Sequence, residues 1–253
     1  MRFVLVHGGF HGAWCWDRTV DELRRLGHDA VAVDLPGHGE KRADDRPTTF
    51  AGRRDAILTE VRAGDVLVGH SGGGFDITMA AEAAPELVRH LVYLAAGLPR
   101  EGRSWPEAMA MQADGTMGDF DVAGLLAHLV FDDDGSMRID DADGARAVFY
   151  HDCDDATVEW AYARLCAERG GETSTEAVSV PRFWAADLPR SYIRCRQDRA
   201  KPRWLSDLVT ERLGVEPLTI DASHSPFLSR PAELAGLLVH ATTTRPIAPL
   251  RPD

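Results

Sequence analysis

Residues 65–74, Asp-Val-Leu-Val-Gly-His-Ser-Gly-Gly-Gly, run an apolar strand straight into a serine boxed by glycines. A G-x-S-x-G corner between strand and helix has little room for side chains beside the serine backbone, and Gly69, Gly72 and Gly73 meet that need. Such a corner holds the Ser71 hydroxyl clear of the sheet. A helix beginning at Gly72 would also turn unpaired N–H groups toward any oxyanion formed beside it. The plainer account is a glycine-rich turn with no chemistry. The flanks argue against that account: 66–68 reads as a buried strand, and 75–84 as an alanine-rich helix stopped by Pro85. Ser71 is therefore the expected nucleophile.

The 253-residue chain is long enough for one large α/β domain with an inserted segment, and it can bury a substantial core. Its formal charge of −12 opposes nucleic acid and anionic membrane surfaces as partners. Only Lys41 and Lys201 are lysines, and no arginine cluster marks a phosphate site. The four cysteines, at 15, 153, 166 and 195, show no C-x-x-C spacing, which argues against a zinc site or a disulfide framework. No apolar run approaches the ~18 residues that span a bilayer. The chain opens on an apolar strand rather than on a basic region and secretory apolar run, so a cytoplasmic protein is expected.

Residues 2–6 form that first strand and empty into His7-Gly8-Gly9-Phe10-His11-Gly12. A strand-to-helix serine corner takes its second oxyanion donor from such an early loop. The expected donors are the N–H groups of Gly72 and Gly9, with Phe10 as the neighbouring possibility. His7 and His11 have metal-ligand spacing, but the glycines between them disfavour a helix and no H-E-x-x-H glutamate is present, so no metal is expected. Helical spacing over 17–26, a strand at 30–33, a helix over 47–61, the serine strand and a strand at 90–95 alternate as in a parallel sheet with helices on both faces.

The pattern changes between about residue 98 and 189, where helical stretches are expected over 120–131 and 156–168 among acidic loops and aromatic residues. This segment reads as a mainly helical cap inserted between two parts of the core, 1–97 and 190–241, with 242–253 as a flexible tail. A cap over the carboxyl edge of the sheet would enclose an apolar pocket. Trp105, Met109, Met111, Phe120, Leu125, Phe131, Phe149, Tyr150, Trp160 and Trp184 are possible wall residues, and Trp105 and Phe131 are the two singled out for substrate contact. The sheet resumes at 191–195 and leads to Asp198. After a helix at 202–213 and a last strand at 216–220 comes Asp221-Ala222-Ser223-His224, followed by a closing helix capped by Ser229. Groups at the carboxyl ends of parallel strands gather at one edge. Asp198 and His224 are thus expected to join Ser71, whereas Asp221 is too close to His224 along one loop to orient it from behind.

These segments together resemble the α/β-hydrolase superfamily. Within it the chain is most similar to the cap-bearing group of plant methylesterases, hydroxynitrile lyases and related bacterial esterases. The similarity lies in FVLVHGGFHGAWCW at 3–16, VLVGHSGGG at 66–74, YIRCRQDRA at 192–200, SHSPFLSRP at 223–231 and FYHDCDD at 149–155. It implies an α/β-hydrolase fold, the chain order Ser, Asp, His, and a serine esterase acting without a cofactor on a small apolar ester or lactone. A homodimer is implied by resemblance alone. In lyases of the group a threonine follows the first-loop histidine and a lysine follows the catalytic histidine; here those positions hold Gly8 and Ser225. Hydrolysis is the expected reaction for that reason. A lyase or cyclase using His224 as a general base is the alternative, and a ligand-binding protein on the same scaffold the more distant one.

Overall fold

The computed structural model describes residues 1–43, 48–112, 115–116, 118, 124–133, 135–169 and 175–252. Six strands form one parallel sheet: β1 (Arg2–Val6), β2 (Asp29–Val33), β3 (Asp65–His70), β4 (Val88–Leu94), β7 (Arg190–Cys195) and β8 (Leu218–Ile220), in the spatial order β2-β1-β3-β4-β7-β8. The order reverses beside β1, with β2 on one side and β3 on the other, so the loops leaving β1 and β3 open a crevice at the carboxyl edge.

Strand periodicity divides the core in two. Phe3 and Leu5 of β1, Val66 and Val68 of β3, and Val92 and Leu94 of β4 pack with Val20 and Leu23 of α1 (Asp17–Arg25) and with Leu234 and Leu238 near the C-terminus. Their alternates Val4, Val6, Leu67, Leu91 and Tyr93 pack on the opposite face, against α2 (Phe50–Leu58) and α3 (Gly73–Ala83). Both faces of every central strand are covered, which explains why these strands read as continuous apolar runs rather than as alternating ones.

Between β4 and β7 lie α4 (Trp105–Ala110), α5 (Ala142–Ala145), α6 (Asp155–Tyr162) and α7 (Pro181–Ala186). A two-stranded antiparallel hairpin, β5 (Leu129–Phe131) with β6 (Met137–Ile139), also belongs to this segment. The hairpin corrects the expected helix over 120–131, of which 125–128 is a short 3₁₀ turn and 120–123 falls outside the described residues. Its cause is turn chemistry: Gly135 takes φ +79° and donates to the Asp132 carbonyl, closing the chain on itself before any helix can propagate. The expected helix over 156–168 ends at Tyr162, after an N-cap in which the Asp154 side chain accepts from the Thr157 N–H. Beyond it Glu168 forms a bridge with Met137.

After β7 come α8 (Arg203–Leu213), α9 (Pro226–Ser229) and α10 (Pro231–Ala241). The N-cap of α10 is Arg230 rather than Ser229, and its side chain makes no capping bond. Pro231 at N1 has no N–H to satisfy, and this lessens the need for a polar cap. The segment expected to be a flexible tail is tied down. Ile247 and Ala248 donate to the Gly214 carbonyl, Arg251 N–H donates to that of Arg212, and the buried Arg190 donates to that of Ala248. No helix among the described residues is long and apolar enough to cross a membrane.

Candidate active site

At the end of β3 the chain turns so sharply that Ser71 takes φ +52°, a conformation rare outside glycine. Backbone hydrogen bonds hold it there: Ser71 N–H donates to Leu94 O at 3.1 Å, and Gly97 N–H donates to Ser71 O at 3.0 Å. A Cβ on Gly69 would lie 2.5 Å from Gly73 O, one on Gly73 2.6 Å from His7 O, and one on Gly74 2.2 Å from Gly97 O. Gly72 is different, since its Cβ would meet nothing closer than the Gly9 nitrogen at 3.9 Å. The space-critical glycines are therefore 69, 73 and 74. Gly74→Ala is expected to cost about 1–3 kcal/mol of stability by forcing α3 off Gly97; an unchanged urea midpoint would show that the helix can shift freely.

His224 follows β8 on the loop that meets this corner. Its Nδ1–H donates to Asp198 Oδ2 at 2.9 Å, and Asp198 Oδ1 accepts the N–H groups of Ala200 and Lys201 at 2.9 and 3.0 Å. The imidazole is thus oriented by a carboxylate that is itself fixed on its other oxygen. Asp221 lies elsewhere, accepting from Gln197 at the surface. The His224 carbonyl accepts from His70 Nε2 at 2.9 Å, and the cap braces the same loop: Asp152 Oδ2 accepts the Ser223 N–H, and Ser223 Oγ donates to Phe149 O.

Ser71 and His224 line one cavity of about 420 Å³. No hydrogen bond joins them among the described residues, a looseness expected of such a pair before a substrate is bound. Gly9 and Gly72 also line the cavity, and their N–H groups meet no acceptor among the described residues. Phe10 differs: its N–H is committed to Glu168 Oε1 at 2.8 Å, which removes it as an alternative oxyanion donor.

Residues 3–237 match the alpha/beta hydrolase family. The chain belongs to that family. Esterase PIR7B of Oryza sativa subsp. japonica is 42% identical over 109 residues, 40% of this chain and 41% of that protein, so the matched part is less than half of either. Methylesterase 1 of Arabidopsis thaliana is 29% identical over 255 residues, covering 92% of this chain and 93% of that one. The crystal structure of polyneuridine aldehyde esterase superposes with a TM-score of 0.80 at 25% identity, covering 94% of this hydrolase and 98% of that chain.

Much of the hydrolase cavity is apolar, and Trp105 is among its walls together with Met109, Leu125 and Phe149. Phe131 is not: it is the last residue of β5 and is 61% exposed. Met111, Tyr150, Trp160 and Trp184 do not line the cavity, and Phe120 lies outside the described residues. Tyr150 instead donates to His11 Nε2 at 2.7 Å, while His11 Nδ1–H donates to Gly9 O. His7 donates from Nδ1 to Gly8 O and accepts the Leu35 N–H on Nε2. Both nitrogens of each ring are engaged in bracing the first loop. No cluster of His, Cys, Asp or Glu among the described residues has the arrangement of a metal site.

Six polar residues that line or adjoin the cavity are not marked in the sequence: His38, Arg53, Asp76, Glu168, Arg169 and Lys201. Lys201 is 3% exposed, and its Nζ donates to Ala96 O and, at 3.4 Å, to the Tyr192 hydroxyl. Burial pulls its pKa down to about 7, against the pull of nearby Asp198. Lys201 thus places an amine in the cavity wall. The position after the histidine was the wrong place to look, because Lys201 enters from the loop that carries Asp198. Burial opposes the ionisation of Glu168, but His38, Arg53 and the Phe10 N–H outweigh it and hold the carboxyl well below the usual range. Local spacing carries no signal for this group, whose members come from five separate segments.

Proposed function

We propose that this hydrolase cleaves a small carboxylic ester or lactone through an acyl-enzyme, with Ser71 as nucleophile, His224 as general base and Asp198 as the residue that orients it. The observation that carries the reading is the Asp198–His224 hydrogen bond of 2.9 Å, with His224 and the strained Ser71 lining one cavity. His224 takes the Ser71 proton as Oγ attacks the ester carbonyl, and the imidazolium is stabilised by Asp198. The Gly9 and Gly72 N–H groups receive the oxyanion, each worth about 3 kcal/mol in the transition state. His224 then protonates the departing alcohol, and water activated by the same ring releases the acid. The esterase and methylesterase names of the relatives support this reaction class. The mainly apolar wall supports an aryl or alkyl ester.

Two measurements test the reading together: turnover of a short-chain p-nitrophenyl ester panel, and intact mass after treatment with a fluorophosphonate. The expected result is hydrolysis and a single adduct on Ser71. Lys201 gives a general-base lyase a specific foothold, because a buried cation within the cavity could receive a leaving anion. That alternative predicts turnover of a β-hydroxy or cyanohydrin substrate that survives modification of Ser71. Ester hydrolysis that continued after complete phosphonylation would overturn the esterase mechanism.

A further inference from the structure

The proposed acyl transfer uses a triad and two backbone N–H groups, and it leaves a second set of charges in the same cavity without a task. Arg53, on α2, and Glu168, between α6 and α7, both line that cavity. Arg53 is only 8% exposed. Its Nε and Nη2 donate to Asp76 Oδ1 and Oδ2 at 2.9 and 3.0 Å, which occupies one edge of the guanidinium. Its Nη1 donates to no described residue; Glu168 Oε2 lies 3.9 Å away, an ion-pair distance rather than a hydrogen bond. Glu168 is likewise used on one oxygen only, Oε1, which accepts Phe10 N–H and His38 Nε2–H at 2.8 Å each. Neither Arg53 Nη1 nor Glu168 Oε2 is among the fully buried polar atoms that lack a partner, so each keeps an open side. Both residues belong to the cavity wall.

We propose that Arg53 Nη1 and Glu168 Oε2 form a subsite for a hydroxyl group carried on the body of the substrate, so that hydroxylated aromatic or alicyclic esters are preferred over their plain counterparts. The inference rests on the ester-hydrolase reading above and narrows its substrate class. A hydroxyl fits because a single oxygen both donates and accepts. Placed ~2.8 Å from both atoms, it receives one N–H and gives its proton to the carboxylate with roughly a right angle between the two bonds. A carboxylate at this point would face Glu168, and an ammonium would face Arg53. A neutral donor-acceptor group faces neither conflict. The subsite adjoins the reacting end, since a Cβ on Gly9 would lie 3.2 Å from Glu168 Oε1. Within a mainly apolar wall, one such pair fixes the orientation of the ligand.

The test is a set of matched esters: methyl phenylacetate with its meta-hydroxy, para-hydroxy and para-methoxy derivatives, and phenethyl acetate with its para-hydroxy derivative. The expected result is a kcat/KM at least about tenfold higher for a hydroxylated ester in one of the two series, and no gain for the methoxy compound, which can only accept. Glu168→Gln keeps an acceptor for Phe10 and His38 but turns a donor toward Arg53, and the hydroxyl preference should shrink to less than about twofold. Equal kcat/KM for hydroxylated and plain esters in both series overturns the subsite and leaves the esterase standing, as does a preference that survives Glu168→Gln. If no ester turns over and Ser71 takes no adduct, the esterase reading has failed. The subsite is then decided by the melting-temperature shifts caused by para-hydroxyphenylacetone and phenylacetone: a larger shift for the hydroxylated ketone supports it, and equal shifts overturn it.

Discussion

Ser71→Ala should lower kcat for ester hydrolysis by about 10⁴- to 10⁶-fold, the scale on which a serine nucleophile acts in concert with its base. The variant should fold as the wild type does. Ser71 Oγ makes no hydrogen bond to the described residues, so its removal leaves no buried partner unsatisfied. The groups that hold the corner are backbone, namely Ser71 N–H on Leu94 O and Gly97 N–H on Ser71 O, and alanine keeps both. The positive φ at this position is as costly for alanine as for serine, so backbone strain should not separate the two proteins either. Some activity above the water rate should survive, because the Gly9 and Gly72 N–H groups and the apolar wall are untouched. The measurement is kcat on the best ester of the panel, with the melting temperature as a control. A loss of less than about tenfold with unchanged stability would remove Ser71 from the chemistry. It would move attention to His224 and Lys201.

Most of the fold was legible because its signals are local or periodic. Alternate residues of β1, β3 and β4 go to opposite cores, and every strand of the large sheet was expected within two residues of where it lies. The serine corner and the histidine loop were legible for a related reason: each is a short motif placed at the carboxyl end of a strand. The cap was less legible. Its hairpin is hidden because Leu129, Val130 and Phe131 give the same apolar run in a helix or a strand, and the closing bond from Gly135 N–H to Asp132 O lies in an acidic stretch with no strand signal. Phe131 ends the three-residue β5 and is exposed there, which the apolar run alone does not reveal.

The polar half of the cavity was not legible at all. Arg53, Asp76 and Glu168 lie on α2, on α3 and beyond α6, and nothing in their neighbourhoods marks them as partners. Their association is a product of packing: α2 lies along α3, and the chain leaving α6 crosses the first loop. The contact between Phe10 N–H and Glu168 engages one of the two early-loop N–H groups that sequence alone leaves as candidates. Residue spacing cannot express such a choice, because it depends on a side chain 158 positions away.

Acid should destabilise this hydrolase early, with the histidines' share of the loss beginning just below pH 6.5 rather than in the carboxylate range. Four histidines are buried in neutral form: His7, His11, His70 and His90. Burial is the main cause of each shift, reinforced at His7 by His38 and at His70 by His224, and it lowers His11 and His90 to about 4. Hydrogen bonds fix the uncharged state of two of them, since His7 Nε2 accepts the Leu35 N–H and His11 Nε2 accepts the Tyr150 hydroxyl. The sign follows from linkage. Above pH 6.5 these rings are neutral in both folded and unfolded chains and contribute no pH dependence. Between 6.5 and about 4 the unfolded chain takes up protons that the folded chain refuses, so stability falls as pH falls. At pH 5, His11 and His90 alone should each cost about 2 kcal/mol, and the deeper shifts at His7 and His70 add to this. Glu168 acts in the same direction at lower pH, because its ionised form is held by the fold and its protonation is then required for release. Urea denaturation at pH 7.5, 6.5, 5.5 and 5.0 measures the slope, and His90→Gln should flatten it by one histidine's share while keeping a partner for Ser191. A midpoint that stayed constant from pH 7.5 to 5.0 would mean that these rings are protonated in the fold. The hydrogen bonds assigned to His7 and His11, and with them the bracing of the loop that presents the Gly9 N–H, would then be wrong.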